Sequence, residues 1–329
     1  MSALTPELLL LILSRLAQGQ PVALEDLAEH AAVSSETLVA ILPELVDHGV
    51  RQRRDGSLRV PGGVDLLDSD RIADAVRSTL PKRADIKVYG VTGSTNDLAR
   101  AWIENGGSAP AVILAEAQTA GRGRRGRAWS SPVASNVYLS QIEMLAGGLQ
   151  GAVGLSLATG VAVAEAIEEV AAVPVALKWP NDLLARERKL GGILVELVTS
   201  GAASRAILGI GINVRVPAYT SAGIDQEWID LAQTSRGRVE RNLLAAAIIT
   251  HLSRMLERFR QQGFNADLRR RWQARDPFFS RRVVARSDQG EIRGWGRGID
   301  ASGEFLIETE SETVRVGAGE VSLRLEKQA

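Results

Sequence analysis

The sequence comprises 329 residues, with 39 lysines and arginines against 39 aspartates and glutamates, so its formal net charge is zero. This length allows two or three domains with their own cores, and the zero net charge argues against a protein that coats nucleic acid through bulk charge. The absence of cysteine excludes disulfides, thiolate metal sites and a cysteine nucleophile. The three histidines stand far apart, so we expect no histidine metal site. No apolar run approaches the roughly 20 residues that span a bilayer, and we expect a cytoplasmic protein without membrane contact.

Three apolar-periodic stretches followed by a basic hairpin are predicted within residues 1–65. The third stretch is expected to form a helix with Ser34 or Ser35 as its N-cap, ending near Gly49. The pair Asp55-Gly56 is expected to form the hairpin turn. Three helices and a hairpin predict a winged helix-turn-helix, which is a DNA-binding module.

The predicted third helix lacks the side chains that usually read DNA. Between Ser35 and Asp47 it carries three acidic residues but no lysine or arginine, and Pro43 removes one helical donor. Only the hairpin is basic, so the candidate DNA contacts are Arg51, Arg53, Arg54 and Arg59. Two interpretations stay open: the module binds DNA through the hairpin, or it is a helical cap packed on the next domain.

A linker is expected at about residues 60–70, at the start of a central domain over residues 66–275. Strand-like stretches such as AVILAEAQ alternate there with two long helices, one of which is nearly all-apolar and therefore buried. Because the strands follow one another without regular helical crossovers, we predict an α+β fold whose mixed sheet has helices on one face. Short strands separated by glycine turns over residues 276–329 predict a small β-barrel.

The central domain contains four clusters of polar residues that the packing of a hydrophobic core does not explain. The motif GSTN places Ser94, Thr95 and Asn96 at the start of a helix, where simple N-capping is the plain alternative. Gln118 ends an apolar strand just before the loop GRGRRGRAW, residues 121–129, which holds three glycines and four arginines. The fourth cluster, KWPNDLL followed by RKLGG, contributes Lys178, Trp179, Asn181, Asp182 and Lys189.

These side chains suit a small polar ring, a carboxylate and a nucleotide. Neutral donors and acceptors match an uncharged ring, and guanidinium groups bind two oxygens of a carboxylate or phosphate at once. Trp129 can stack on a purine, while Lys178 and Lys189 add positive charge. The chain lacks a phosphate-loop signature and a Ser/His nucleophile–base pair. Activation of a carboxylate by a nucleotide is the reaction that remains.

The motifs GSTN, GRGRRGRAW, KWPNDLL, RKLGGILVEL and GIGINV resemble those of the biotin–protein ligases. The resemblance covers almost the whole chain, because a winged-helix start and a small β-barrel end are the architecture of the bacterial bifunctional form, which is both ligase and biotin operon repressor. It implies a class II synthetase-like central domain, an SH3-like C-terminal barrel, and the domain limits 1–65, 66–275 and 276–329.

The chemistry implied by the resemblance has two steps. The carboxylate of biotin attacks the α-phosphate of ATP, with Mg²⁺, to give biotinyl-5′-AMP, and a lysine of the biotin carboxyl carrier protein of acetyl-CoA carboxylase then attacks the mixed anhydride. The residues implied to bind biotin are Ser94, Thr95, Asn96, Gln118, Arg122, Gly123, Arg124 and Lys189. Those implied to bind the nucleotide are Arg122, Arg124, Arg127, Trp129, Lys178 and Asn213. Those implied to act in catalysis are Lys189, Arg124, Lys178 and Asp182, the last orienting or deprotonating the incoming lysine. No metal-ligating residue is implied.

Repression is also implied by the resemblance. In repressing family members the adenylate promotes homodimerisation, which places two winged helices on a palindromic operator. The missing basic residues of the third helix depart from that pattern. The alternatives are a ligase whose winged helix does not bind DNA, a biotin-sensing regulator with secondary enzyme activity, and a lipoate–protein ligase, whose apolar dithiolane ring needs fewer polar contacts than this chain offers. A nucleic-acid-binding protein with an arginine-glycine loop is disfavoured by the zero net charge.

Overall fold

The N-terminal module consists of three helices and a short antiparallel hairpin. A computed structural model of the chain describes residues 4–80, 84–145, 148–200, 203–217, 220, 227–287, 290–319 and 322–326. The elements of the module are α1 (Pro6–Arg15), α2 (Leu24–His30), α3 (Ser35–Asp47), β1 (Arg51–Gln52) and β2 (Leu58–Arg59).

Local side-chain and backbone hydrogen bonds determine where α3 and the hairpin begin and end. Ser34 is the N-cap of α3, because its Oγ accepts a hydrogen bond of 3.1 Å from the backbone N–H of Thr37. The hairpin turns through Gly56, whose φ of +82° is the left-handed region that favours glycine. The predicted limits of the third helix and the position of the hairpin turn are both confirmed.

The central domain is built on a seven-stranded mixed sheet. Its strands are β3 (Asp85–Thr92), β4 (Ala111–Gln118), β5 (Val137–Leu145), β6 (Ala176–Lys178), β7 (Asp182–Ala185), β8 (Arg188–Ser200) and β9 (Ala203–Ile212), in the order β3-β4-β5-β9-β8-β7-β6. Only β3 and β4 are parallel, and the other neighbours are antiparallel, so the predicted mixed sheet is confirmed. The helices are α4 (Ser69–Val76), α5 (Thr95–Glu104), α6 (Leu155–Ala171), α7 (Leu231–Thr234), α8 (Arg241–Gln262) and α9 (Ala266–Gln273).

Helices cover both faces of this sheet. Alternate residues of a strand point to opposite faces: Leu114, Leu139 and Leu208 join the large core that includes α6 and α8, whereas Ile113 and Ile142 pack in a separate cluster with α5. The prediction that helices lie on one face is therefore wrong. The second face is shared by α5 and the loops that follow β3 and β4, and it is the face on which the polar residues converge.

The N-terminal module packs on the central domain. Its core, which contains Leu13 and Leu45, also includes Ala117 and Val133 of the central domain. The segment after the hairpin is fastened as well, since Asn242 Nδ2 donates to Asp65 Oδ1 at 2.8 Å. The predicted linker is thus not a free connection in its second half, and the interpretation of the module as a packed cap has structural support.

The C-terminal strands form an antiparallel sheet rather than a closed barrel. They are β10 (Arg282–Ser287), β11 (Gly290–Ile299), β12 (Phe305–Glu308), β13 (Thr313–Val316) and β14 (Ser322–Leu325). The order is β13-β12-β11-β10-β14, so among the described residues β13 and β14 are the two edge strands and do not pair with each other. The prediction of a closed barrel is not confirmed. Trp179 ties this sheet to the central domain by donating from Nε1 to the carbonyl of Gly303 at 3.1 Å. No described helix combines the length and hydropathy of a membrane span.

Candidate active site

Glycines on β8 and β9 allow two side chains to lie directly on the sheet. A Cβ at Gly209 would stand 2.4 Å from Asn96 Oδ1, and one at Gly211 would stand 2.6 Å from the indole of Trp129. Gly192 is the register partner of Gly211, and a Cβ at Gly192 would stand 3.5 Å from the same indole. Any larger residue at Gly209 or Gly211 would displace these side chains, so the GIGIN segment gives the site its floor.

The predicted ring-binding residues converge at one end of this floor. Thr95 follows the N-cap Ser94 of α5, and its backbone N–H donates to Gln118 Oε1 at 2.8 Å. Gln118 Nε2 donates in turn to Ser131 Oγ at 2.9 Å. Ser94, Thr95 and Asn96 are all buried, and Ser94 makes no side-chain capping bond. Simple N-capping does not explain three buried polar side chains, so their burial supports the prediction of a polar pocket.

Two further polar residues belong to this pocket. Ser140 of β5 is fully buried, with its Oγ 2.8 Å from Thr95 Oγ1 and 2.6 Å from Asn96 Oδ1. Asn96 Nδ2 donates to Glu196 Oε2 of β8 at 2.8 Å. Neither Ser140 nor Glu196 was predicted to belong to the site, although the motif RKLGGILVEL contains Glu196. The available signal was that polar side chains interrupt two apolar stretches, Ser140 with Gln141 in YLSQI and Glu196 in LVELV.

The arginine loop forms a compact turn over the other end of the floor. Trp129 N–H donates to the carbonyl of Gly121, and Gly123 N–H donates to the carbonyl of Arg127, both at 2.8 Å. Arg125 and Gly126 take positive φ values of 58° and 67°, which the glycine tolerates freely. The turn carries Trp129 onto the glycine floor, where its Nε1 is buried without a hydrogen-bond partner among the described residues.

The first two loop arginines engage different partners. Arg122 forms a two-pronged ion pair with Asp97 on α5, at 2.7 and 2.5 Å, which holds the pKa of the Asp97 carboxyl below its usual range. A ligand clamped by Arg122 as predicted would compete with Asp97 for this guanidinium. Arg124 donates to the carbonyls of Ala318 and Gly319, the latter at 2.9 Å. Burial, aided by the positive charge of Arg125, lowers the pKa of Arg124.

Cationic side chains lie around Asp182, on the side of the site next to the Trp129 indole. Lys189 Nζ lies 2.8 Å from Asp182 Oδ1 and 5.5 Å from the ring centroid of Trp129. Lys178 is the register partner of Asp182 in the β6–β7 hairpin, and burial lowers its pKa against the opposing attraction of Asp182. Arg127 and Lys189 also depress the pKa of Lys178, which shows that these positive charges lie within range of one another. The structure therefore brings the predicted cations together.

Asn213, a predicted nucleotide contact, holds the backbone next to Lys189. It is buried, and its Nδ2 donates to the carbonyl of Ile229 at 3.2 Å and to that of Lys189 at 3.5 Å. Both amide hydrogens are thus used to hold the backbone beside Lys189. Asn213 therefore helps to position β8 through its Nδ2, and its predicted contact with a nucleotide would have to use Oδ1.

The four hairpin arginines are not equivalent. Arg51 donates to the carbonyls of Val46 and Val50, both at 2.9 Å, and so completes the end of α3. Arg53 lies 3.5 Å from Asp55, in a pair exposed to solvent. Arg54 and Arg59 are exposed. Arg51 is therefore a weaker candidate for DNA contact than the sequence predicted. Among the described residues, no three His, Asp or Glu side chains cluster in a way that could hold a metal ion.

Comparison with known proteins gives consistent matches for the central and C-terminal parts. The Biotin/lipoate A/B protein ligase family matches residues 88–213, and the Biotin protein ligase C terminal domain matches residues 279–324. The chain is 38% identical over 318 residues to the bifunctional ligase/repressor BirA of Salmonella typhimurium, covering 96% of this chain and 97% of that protein.

Two further relatives extend the comparison. The chain is 34% identical over 261 residues to the biotin–[acetyl-CoA-carboxylase] ligase of Mycobacterium tuberculosis, covering 78% of this chain and 95% of that protein. Its fold is similar to that of the biotin protein ligase of Aquifex aeolicus in complex with biotin and ATP, with a TM-score of 0.63 and 28% identity. That match covers 74% of this chain and 99% of the other.

Proposed function

The chain belongs to the biotin protein ligase family, and we propose that it attaches biotin to a lysine of the biotin carboxyl carrier protein of acetyl-CoA carboxylase. The observation that carries the proposal is the arrangement on one sheet face of a neutral polar pocket at Thr95 and Gln118, the indole of Trp129, and the cations Arg124 and Lys189. The pocket suits the uncharged ring of biotin. The cations suit its carboxylate and the phosphates of ATP.

In the first step, a carboxylate oxygen of biotin bonds to the α-phosphorus of ATP and pyrophosphate leaves. Arg124 and Lys189 would stabilise negative charge on the phosphate oxygens as it develops. In the second step, the carrier lysine attacks the acyl carbon of biotinyl-5′-AMP, an amide bond forms, and AMP leaves. Asp182 is the candidate to take the proton that the ammonium of the carrier lysine must lose before its nitrogen can attack, since the Asp182 carboxylate lies beside Lys189 at this end of the floor.

Mg²⁺ commonly binds substrate phosphates together with one or two protein carboxylates. Asp182 is the only carboxylate among the predicted site residues, and it already pairs with Lys189. These residues fit an ion that arrives on ATP and is held mainly by its phosphates. When bound, the ion neutralises phosphate charge and so assists nucleophilic attack.

Transfer of biotin to the purified carrier protein tests the proposal. The protein is incubated with biotin and MgATP, and modification of the carrier is followed by intact mass, with lipoate replacing biotin in a parallel reaction. We expect modification with biotin only. Lys189→Ala should lower the turnover number by about 10²-fold and change the KM for biotin less, because its charge acts in the transition state. Transfer of lipoate without transfer of biotin would assign the chain to the other branch of the family, and equal use of both would refute selection of the biotin ring.

We further propose that the N-terminal module is a winged helix and that the adenylate-bound protein dimerises on operator DNA. The three helices and hairpin, and the similarity to a bifunctional ligase/repressor over almost the whole chain, support this proposal. The DNA contacts would come from Arg53, Arg54 and Arg59, because Arg51 caps α3. A gel-shift titration with and without biotin and MgATP tests it, and the absence of specific binding under every condition would leave a ligase with a packed helical cap.

A further inference from the structure

A chain of hydrogen bonds runs from a surface carboxylate into the polar pocket. It starts at Glu196 of β8, whose side chain is 23% exposed, and passes through Asn96 and Ser140 to Thr95. The three O···N or O···O separations along it are 2.8, 2.6 and 2.8 Å. All three lie within hydrogen-bond distance.

The direction of this chain follows from counting hydrogens. A carboxylate oxygen can only accept, so the group that faces Glu196 must be the Nδ2 of Asn96. That choice turns Asn96 Oδ1, which carries no hydrogen, towards Ser140. Ser140 has one hydroxyl hydrogen, and the 2.6 Å contact with Oδ1 requires that hydrogen.

The position of the next hydrogen is then determined too. Because the hydrogen of Ser140 is used, the 2.8 Å contact between Ser140 Oγ and Thr95 Oγ1 requires the hydrogen of Thr95. Thr95 Oγ1 also lies 3.2 Å from Gln118 Oε1, which already accepts from the backbone N–H of Thr95. The single hydroxyl hydrogen of Thr95 thus has two acceptors within reach, and the shorter 2.8 Å separation favours Ser140 over Gln118. Thr95 therefore has only lone pairs left for a ligand.

We propose that Glu196 is a positioning residue that makes Thr95 an acceptor in the ring pocket. Its carboxylate orients the amide of Asn96, which makes Ser140 a donor to Asn96 and Thr95 a donor to Ser140. The pocket then selects a ring that presents an N–H group, as the ureido ring of biotin does and a dithiolane ring does not. This inference rests on the proposed function, since it concerns the same pocket.

Glu196→Gln is a suitable perturbation because it preserves the size of the side chain. Arg100 Nη2 lies 3.8 Å from Glu196 Oε1, so the new amide would turn its carbonyl towards Arg100 and its NH₂ towards Asn96. Asn96 would then turn over, Ser140 would donate to Thr95, and Thr95 would present its hydrogen to the ligand. Loss of one well-formed hydrogen bond corresponds to about a tenfold change in affinity.

The dissociation constants of biotin and desthiobiotin, measured by calorimetry without ATP, test this inference. Both ligands share the ureido ring, so Glu196→Gln should weaken both by about tenfold, with the ratio between them unchanged. Ser140→Ala should have a comparable effect, and the double variant should be no weaker than Ser140→Ala alone, because Glu196 acts through Ser140. Glu104→Gln, at an exposed position at the end of α5, is the matched control and should leave both constants unchanged.

The result that overturns the inference is biotin affinity within twofold of wild type in Glu196→Gln, or a double variant in which the two losses multiply. A change in the desthiobiotin-to-biotin ratio would also overturn it, because the defect would then lie outside the ureido contact. Failure of wild type to transfer biotin to the carrier would refute the proposed function instead, and the calorimetric measurement does not depend on that transfer.

Discussion

The buried ion pair between Arg241 and Glu116 is predicted to be the main attachment of the segment that follows the N-terminal module. Both side chains are about 4–5% exposed, and Arg241 Nη2 forms an ion pair with Glu116 Oε2 at 2.8 Å, although the two groups are not aligned for a hydrogen bond. Arg241 also donates to the carbonyl of Asp65 through Nε at 2.9 Å and to that of Asn136 through Nη1 at 3.1 Å. Glu116 Oε1 accepts from the backbone N–H of Leu67 at 2.5 Å.

Removing the charge of Arg241 should lower the free energy of unfolding more than removing the charge of Glu116. Arg241→Met leaves the Glu116 carboxylate buried with Leu67 N–H as its neutral partner, and breaking a buried pair in this way costs about 3–5 kcal/mol. Glu116→Gln leaves the guanidinium with the carbonyls of Asp65 and Asn136, so we expect a smaller loss of about 1–3 kcal/mol. The double variant has neither charge of the pair. Its loss of unfolding free energy should therefore be smaller than the sum of the losses in the two single variants.

Urea unfolding followed by tryptophan fluorescence measures these free energies, provided that the slope against urea is unchanged. Arg281→Met is the matched control, because its pair with Glu187 at 3.1 Å is exposed and should contribute at most about 1 kcal/mol. Additive losses in the double variant would show that Arg241 and Glu116 do not interact energetically. A loss from Arg241→Met as small as that of the control would refute the reasoning from burial.

Three other perturbations test the site, the domain junction and the hairpin. Arg124→Gly should raise the dissociation rate of biotinyl-adenylate, with a loss of about 1.5–3 kcal/mol in binding, and an unchanged rate would remove Arg124 from the clamp. Burial raises the pKa of Asp276 to about 7, so the folded protein holds a proton that the unfolded chain releases near pH 4, and stability falls as pH rises towards 7. Asp276→Asn should therefore gain about 2–4 kcal/mol at pH 8 and nothing near pH 3, and an equal shift in thermal midpoint at both pH values would contradict this. Replacing the arginines that remain available on the hairpin should abolish ligand-dependent operator binding in a gel shift, while retained specific binding would indicate that α3 reads DNA; these arginines are Arg53, Arg54 and Arg59.

Elements whose limits depend on nearby residues were predictable from the sequence. Ser34 caps α3 through a residue three positions away, and the apolar stretch AVILAEAQ corresponds to β4 from its first residue to its last. The convergence of Thr95 and Gln118 was also predictable, because each stands where a helix begins or a strand ends, and such positions present polar groups at the edge of a sheet.

Contacts and strand pairings between segments that are distant in sequence were decided only by the tertiary structure. Asn96 and Glu196 are 100 residues apart in sequence, and Arg124 meets Gly319 across 195 residues, so neither contact leaves a local pattern. The same reason explains why the sequence alone indicated neither the open C-terminal sheet nor the helices on both faces of the central sheet. Strand order and the covering of each face are determined by which surfaces pack together, and alternating hydrophobicity shows only that a strand has a buried face.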